Sequence, residues 1–242
     1  MKVHMEQEIL QENAHQAEEN RTQFGKTLVV NLIGSPGCGK TTLLEKTLAA
    51  LQQEYRMAVI EGDIYTTKDA QRIEVCGVPV VQVNTAGGCH LSAEITAKAA
   101  ADLDLQNLDI LFIENVGNLV CPAEFDLGED CKAAVLGVVE GDDKPAKYPL
   151  LFQEAGVVLL NKCDLLPYTN FNMDSALADI RGLNAGAPIL QLAAAKEEGL
   201  EPWFAWLRAA AAKREKPEWN GHCSCFAKAP EMLPGLFCSL QR

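Results

Sequence analysis

Basic residues are scarce in this chain: 21 Lys and Arg against 33 Asp and Glu, a formal net charge of −12 over 242 residues. Proteins that grip a nucleic-acid backbone present clustered cations, so this balance excludes nucleic acid as a partner. Aromatic residues are thin at 6%, and the 48% apolar content is mostly Ala, Val and Leu. That is the composition of parallel strands buried under helices. No apolar run approaches the roughly 18 residues that a membrane crossing needs, and no membrane partner is expected. The first 24 residues are polar and Glu-rich, without the apolar stretch of a signal peptide. Nine cysteines follow no disulfide-like spacing. An odd, scattered set reads as free or metal-bound thiols in a reducing cytoplasm.

The order of patterns along the chain predicts an α/β fold. Residues 1–24 form a partly helical N-terminal extension. Leu28–Ile33 is a short apolar strand ending in Gly, followed by a helix from Lys40 to about Tyr55 with Leu43, Leu44, Leu48 and Leu51 on one face. Strands are then expected at 58–60, 78–83, 108–113, 134–139, 157–160 and 189–192. Helices are expected at 68–75, 92–101, 174–183 and 202–213. Alternation of this kind implies a single P-loop-type domain over residues 25–213, a mostly parallel sheet with helices on both faces. Residues 214–242 hold Pro217, Pro230, Pro234, Gly221 and Gly235 without periodicity and read as a C-terminal tail.

Between the first strand and the helix after it stands Gly34-Ser35-Pro36-Gly37-Cys38-Gly39-Lys40-Thr41-Thr42, which satisfies G-x-x-x-x-G-K-[ST] in the context that motif requires. Its glycines let backbone amides close around phosphates, and the helix N-terminus favours negative charge. Lys40 is expected to reach the β- and γ-phosphates and Thr41 to ligate Mg²⁺. Asn161-Lys162-Cys163-Asp164 follows a later apolar strand and matches the N-K-x-D box. A carboxylate there accepts from N1 and N2 of guanine, a donor pair adenine lacks, and the Lys162 stem covers the base. Ala194-Ala195-Lys196 reads as the loop whose amide meets guanine O6. Two acidic strand ends complete the set. Asp63 ends the second strand, and Glu114 begins an [DE]-x-x-G pattern whose Gly117 amide would sense the γ-phosphate. Asp63 and Glu114 are expected around Mg²⁺. No arginine finger is evident in the sequence, so hydrolysis is expected to be slow.

Of four histidines, only His90 lies within the predicted domain, next to Cys89; Cys121 follows Gly117 by four residues. Both segments leave C-terminal strand ends, where they can meet on the nucleotide face. Two thiolates and an imidazole suit Ni²⁺ or Zn²⁺ rather than Mg²⁺ or Ca²⁺. On the residues alone, a metal triad and a set of inert cysteines remain equal alternatives, and Cys38, Cys76 and Cys131 read as inert.

Five ordered motifs carry a resemblance over about residues 25–213: the Gly34–Thr42 loop, Glu61-Gly62-Asp63, Gly88-Cys89-His90-Leu91, the segment from Glu114 to Pro122, and Asn161–Asp164. Together they resemble the HypB family of nickel-incorporation GTPases in [NiFe]-hydrogenase maturation. The resemblance implies a SIMIBI-class GTPase that forms a nucleotide-dependent homodimer and binds Ni²⁺ or Zn²⁺ through Cys89, His90 and Cys121. It implies as partners a HypA-type metallochaperone and the hydrogenase large-subunit precursor. A urease-type nickel GTPase would carry Cys-Pro-His where Cys121-Pro122 continues with Ala123. A methylmalonyl-CoA mutase-type GTPase chaperone would not need the Cys-His-Cys set, the Asn161–Asp164 box argues against a small-molecule kinase, and passive metal storage would need no hydrolytic site. The N-terminal Cys-rich or His-rich stretch of some relatives is missing. His222, Cys223, Cys225 and Cys238 in the tail form either an accessory metal site or idle thiols.

Overall fold

In the computed structural model, residues 2–63 and 67–214 are described, with side chains from residue 7 onward. Seven strands form one sheet: β1 (Leu28–Ile33), β2 (Met57–Asp63), β3 (Val80–Asn84), β4 (Ile110–Glu114), β5 (Cys131–Gly137), β6 (Ala155–Asn161) and β7 (Ile189–Gln191). Their order is β3-β2-β4-β1-β5-β6-β7, and every pairing is parallel. The expected mostly parallel sheet is therefore wholly parallel among the described residues.

Alternation along β1 divides the core. Leu28, Val30 and Leu32 face one side, where they meet α2 (Lys40–Leu51) and α9 (Glu201–Arg214) in a cluster that includes Leu43, Leu48, Trp203 and Leu207. Val29 and Ile33 face the other side. There α1 (Lys2–Phe24) and α4 (Ala93–Ala100) cover one half of the sheet, and α7 (Pro149–Glu154) and α8 (Met173–Leu183) cover the other. A strand buried on both faces needs apolar residues at every position, and β1 obeys this except at Asn31, which is fully buried. No helix among the described residues is long and apolar enough to cross a membrane.

The N-terminal segment departs from its expected partial helicity. It is one 23-residue helix seated against the domain. The residues it buries, Asn13, Ala17, Asn20 and Phe24, recur at helical spacing, but half of them are amides. Asn13 donates to the Asp126 carbonyl at 2.7 Å and accepts from the Ala93 amide at 2.8 Å. Asn20 donates to the Ala93 and Leu127 carbonyls at 2.8 and 2.9 Å. Gly128 lies so close that a Cβ there would stand 2.6 Å from the Ala17 carbonyl oxygen. Polar side chains therefore dock α1, which is why a hydrophobic pattern misses it.

Removing Asn20 leaves two buried carbonyls without that donor. Asn20→Ala is expected to cost about 1–3 kcal/mol, whereas His15→Ala, on the exposed side of the same helix, should change little. Urea unfolding of both variants checks this; equal midpoints would mean that α1 is not docked by its amides.

Candidate functional site

The C-terminal ends of β1, β2 and β4 converge on the loop between β1 and α2, the crevice in which open parallel sheets bind ligands. A cavity of ≈ 380 Å³ opens there, lined by Pro36, Gly37, Gly39, Lys40, Thr41, Thr42, Glu61–Asp63, Asp69, Arg72, Glu114–Gly117 and Lys162. Lys40, at the first position of α2, turns its ammonium back over the loop and donates to the Gly34 and Ser35 carbonyls at 3.1 and 3.4 Å. Pro36 and Gly37 are exposed at the rim. Cys38 points inward, fully buried, and burial pushes its thiol up to about 11, so it contributes backbone and not reactive sulfur. Thr42 accepts a hydrogen bond from Arg72 at 3.0 Å.

Of the acidic groups opposite the loop, Glu61 and Glu114 are buried and Asp63 and Asp69 half-buried. The Thr41 hydroxyl donates to Glu114 Oε1 at 2.7 Å, while Glu114 Oε2 is buried without a hydrogen-bond partner. Glu61, paired in register with Glu114, is 2% exposed and its Oε2 is likewise unpartnered. Glu61, Asp63 and Asp69 bring carboxylate oxygens within 4.8 Å of one another. Buried orphan oxygens beside a threonine hydroxyl fit a hard divalent cation such as Mg²⁺, which takes oxygen ligands. Sequence reasoning reached Thr41, Asp63 and Glu114 and missed Glu61 and Asp69. The signal for Glu61 was the strand itself, an acid two residues inside a buried β2. Arg72 was also missed; it lines the cavity, but its guanidinium is engaged with Glu45 at 2.7 and 2.9 Å and Asp69 at 3.1 Å.

The second nucleotide motif closes the far side. Asn161 spends its amide on the protein, donating to the Cys38 carbonyl at 2.9 Å and accepting from the Lys162 and Ala194 amides at 2.8 and 3.1 Å. It thereby fixes the phosphate loop and the 194–196 turn to the end of β6. Lys162 takes a left-handed conformation, φ 63°, and its ammonium donates to the Gly37 carbonyl at 2.5 Å. Asp164 is half-buried in the following turn, while Ala195 and Lys196 are exposed.

Cys89, His90 and Cys121 meet beside this cavity. Their ligand atoms all lie within 4.8 Å of one another, with Cys89 Sγ 2.9 Å from Cys121 Sγ and 3.4 Å from His90 Nδ1. Cys121 opens the short α5 (Cys121–Glu124). The hydrogen bond to Cys121, followed by burial, raises the Cys89 thiol above its ordinary value. Burial lowers His90, whose ring lies tilted by 30° against Phe125 with centroids 3.8 Å apart, and so favours the neutral imidazole. Two sulfurs and a nitrogen converging at a half-exposed surface can hold a borderline-soft cation with a coordination position open. The tail residues His222, Cys223, Cys225 and Cys238 lie outside the described residues.

Residues 28–191 match the family described as CobW/HypB/UreG, nucleotide-binding domain. The chain is 52% identical over 207 residues to the hydrogenase maturation factor HypB of Escherichia coli K12, covering 85% of this chain and 71% of that one. The chain belongs to the HypB family. Among solved structures, HypB from Helicobacter pylori in complex with nickel superposes with a TM-score of 0.80 at 34% identity, covering 86% of this chain and 99% of that chain. HypB from Archaeoglobus fulgidus gives 0.77 at 33% identity, covering 83% and 98%. These relatives agree with the wholly parallel α/β domain described above.

A pH dependence follows from the buried acids. Burial first, then the neighbouring Glu114, Asp63 and Asp69 charges, raises Glu61 from 4.5 to about 8. Burial raises Glu114 to about 7. At these two groups the folded state thus binds more protons than the unfolded chain between about pH 4.5 and 8, and their contribution to stability falls as pH rises through that window. Glu61→Gln needs no proton, so in metal-free buffer it should be more stable than the parent at about pH 8 and lose that advantage at about pH 5. Urea unfolding with a chelator at both pH values measures this; no gain at the higher pH would contradict the buried-charge argument.

Proposed function

We propose that the chain hydrolyses GTP to GDP and phosphate and uses that cycle to deliver Ni²⁺ to the [NiFe]-hydrogenase large-subunit precursor in the cytoplasm. The observation that carries the reading is one eight-residue segment. It begins at Glu114, bonded to Thr41 of the phosphate site, and ends at Cys121, in contact with Cys89. Between them Gly117 abuts the phosphate loop, where a Cβ would stand 2.8 Å from Pro36 Cγ. Asn118 then donates to the Cys89 carbonyl at 3.2 Å.

In this reading the Gly34–Thr42 amides and Lys40 bind the phosphates, and Lys162, Asp164 and the Ala194–Lys196 turn receive guanine, with Asn161 bracing the two loops. Thr41, Asp63 and Glu114 hold Mg²⁺, joined by Glu61 and Asp69; bound there, Mg²⁺ neutralises charge on the phosphate oxygens. Gly117 meets the γ-phosphate, and the segment from 117 to 121 takes one arrangement with GTP and another with GDP, a local switch. Cys89, His90 and Cys121 hold the nickel, with Zn²⁺ as a competitor for the same thiolates. Hydrolysis is expected to be slow, because no arginine finger is evident in the chain, and Arg72, which lines the cavity, pairs with Glu45 and Asp69. A nucleotide-dependent homodimer, a HypA-type metallochaperone and the precursor complete the assembly. That the Escherichia coli relative is a hydrogenase maturation factor, and that the Helicobacter pylori one was crystallised with nickel, supports the choice of cargo.

Nickel titration of the apo, GDP-loaded and GTP-analogue-loaded protein tests this, following thiolate-to-nickel absorbance and molecular mass together. Near-stoichiometric binding should shift with nucleotide and vanish in a Cys89→Ala/Cys121→Ala double variant. A Cys121→Ala protein that keeps the full nucleotide-dependent change in nickel affinity would break the proposed link.

A further inference from the structure

Asn31 is the one polar residue in a strand that is otherwise apolar and buried throughout. Such an amide is costly unless its hydrogen bonds are made. Its Oδ1 accepts from Asn115 Nδ2 at 3.2 Å and its Nδ2 donates to Glu129 Oε1 at 3.1 Å. The other Glu129 oxygen accepts from the Leu127 amide at 2.6 Å. Asn115, 1% exposed, follows Glu114 directly and contributes to the wall of the nucleotide cavity.

What singles out Asn115 is its Oδ1, which serves two masters. It accepts from the Val116 amide at 3.0 Å and from the Leu91 amide at 3.2 Å. Val116 precedes Gly117 of the phosphate-facing turn; Leu91 follows His90 of the metal loop. Leu91 is itself wedged against the acidic strand end, since a Cβ on Gly62 would stand 3.0 Å from its side-chain carbons. One oxygen therefore holds both the nucleotide-facing segment and the ligand loop, and the buried amide behind it fixes where that oxygen sits.

We infer that the Asn31–Asn115 pair is the positioning element through which the nucleotide site sets the Cys89–His90 loop. The inference rests on the GTP–nickel coupling proposed above and names residues that touch neither phosphate nor metal in that scheme. A shift of the Val116–Gly117 peptide toward a γ-phosphate changes the bond on Asn115 Oδ1, and the competing Leu91 amide moves with it. Asn31 restricts the amide to one orientation, so the displacement passes to the loop instead of dissipating in a side-chain rotation.

The test measures the ratio of nickel affinities with GTP analogue and with GDP, in the full chain, for Asn115→Ala and Asn31→Ala, with direct measurement of nucleotide binding. Amide hydrogen exchange at Leu91 is followed in the same states. The control is Asn184→Ala, which removes a side chain bonded to the Phe152, Gln153 and Ala155 carbonyls, at the end of β6 opposite Asn161. Coupled sites commonly differ by about 5-fold or more in affinity. Both variants are expected to bring the ratio within about twofold of one while retaining thiolate-to-nickel absorbance, and Leu91 should lose its nucleotide-dependent protection. Asn184→Ala should lose stability but keep the ratio. Asn31 does not line the cavity, so if Asn115→Ala fails to bind nucleotide, Asn31→Ala decides. An unchanged ratio in Asn31→Ala, or a collapse equally large in Asn184→Ala, would overturn the assignment. If nickel affinity in the parent ignores nucleotide, the functional reading fails separately. Leu91 exchange then still decides: nucleotide-dependent protection that is lost in the variants supports the pair, and its absence in the parent overturns it.

Discussion

A methyl group at position 117 would stand 2.8 Å from Pro36, one at position 39 would stand 2.4 Å from Asn161 Nδ2, and one at position 34 would stand 2.4 Å from the Val135 carbonyl oxygen. The phosphate loop is thus pressed against the ends of β4, β6 and β5 with no room for a side chain at any of the three contacts. Such proximity has two consequences. It lets backbone amides approach a ligand closely, the ordinary use of glycine in this type of loop. It also makes the loop a shared wall, so a ligand that moves the loop or the 117 turn must move against packed neighbours, which respond in discrete steps more readily than by gradual deformation.

Much of this site was legible because its chemistry is local. The Gly34–Thr42 loop and the Asn161–Asp164 box each announce a strand end, a tight turn and a helix start within a few residues. The strands themselves were legible from short apolar runs, and their observed limits differ from the expected ones by a few residues. What escaped were features defined by long-range polar contacts. The docked face of α1 alternates amides with Ala and Phe, so no hydrophobic period marks it, and its partners lie some 70 to 110 residues away. Glu61 sits inside a buried strand in the sequence, and the sheet register adds what the sequence lacks, its place beside Glu114 with an oxygen buried and unpartnered. Asn31 was visible as a lone amide in an apolar strand. Its meaning depended on Asn115 and Glu129 arriving from distant segments.

The same long-range contacts divide the Cys89–His90 loop into two differently held halves. Before His90, the loop is tied to the 114–121 segment, through Asn118 on the Cys89 carbonyl. After Leu91, it is tied to α1, through Asn13 and Asn20 on Ala93. The α1 anchors also reach Asp126 and Leu127, just beyond the helix that Cys121 opens. One end of each of these segments is therefore held by α1, while the other end is joined to the turn that packs on the 34–42 loop.

That arrangement also keeps two kinds of metal chemistry apart on a short stretch of chain. The Glu114 end offers carboxylate and hydroxyl oxygens in a buried pocket, suited to a small hard cation held with phosphates. The Cys121 end offers sulfur and a neutral imidazole at a half-exposed surface, suited to a softer ion. Donor type alone would sort a hard cation from a softer one between these two clusters. Three donor atoms within 4.8 Å of one another would leave a tetrahedral ion one coordination position for a donor from outside the chain. A closed four-ligand cage would hold the ion more firmly, and would suit storage better than transfer.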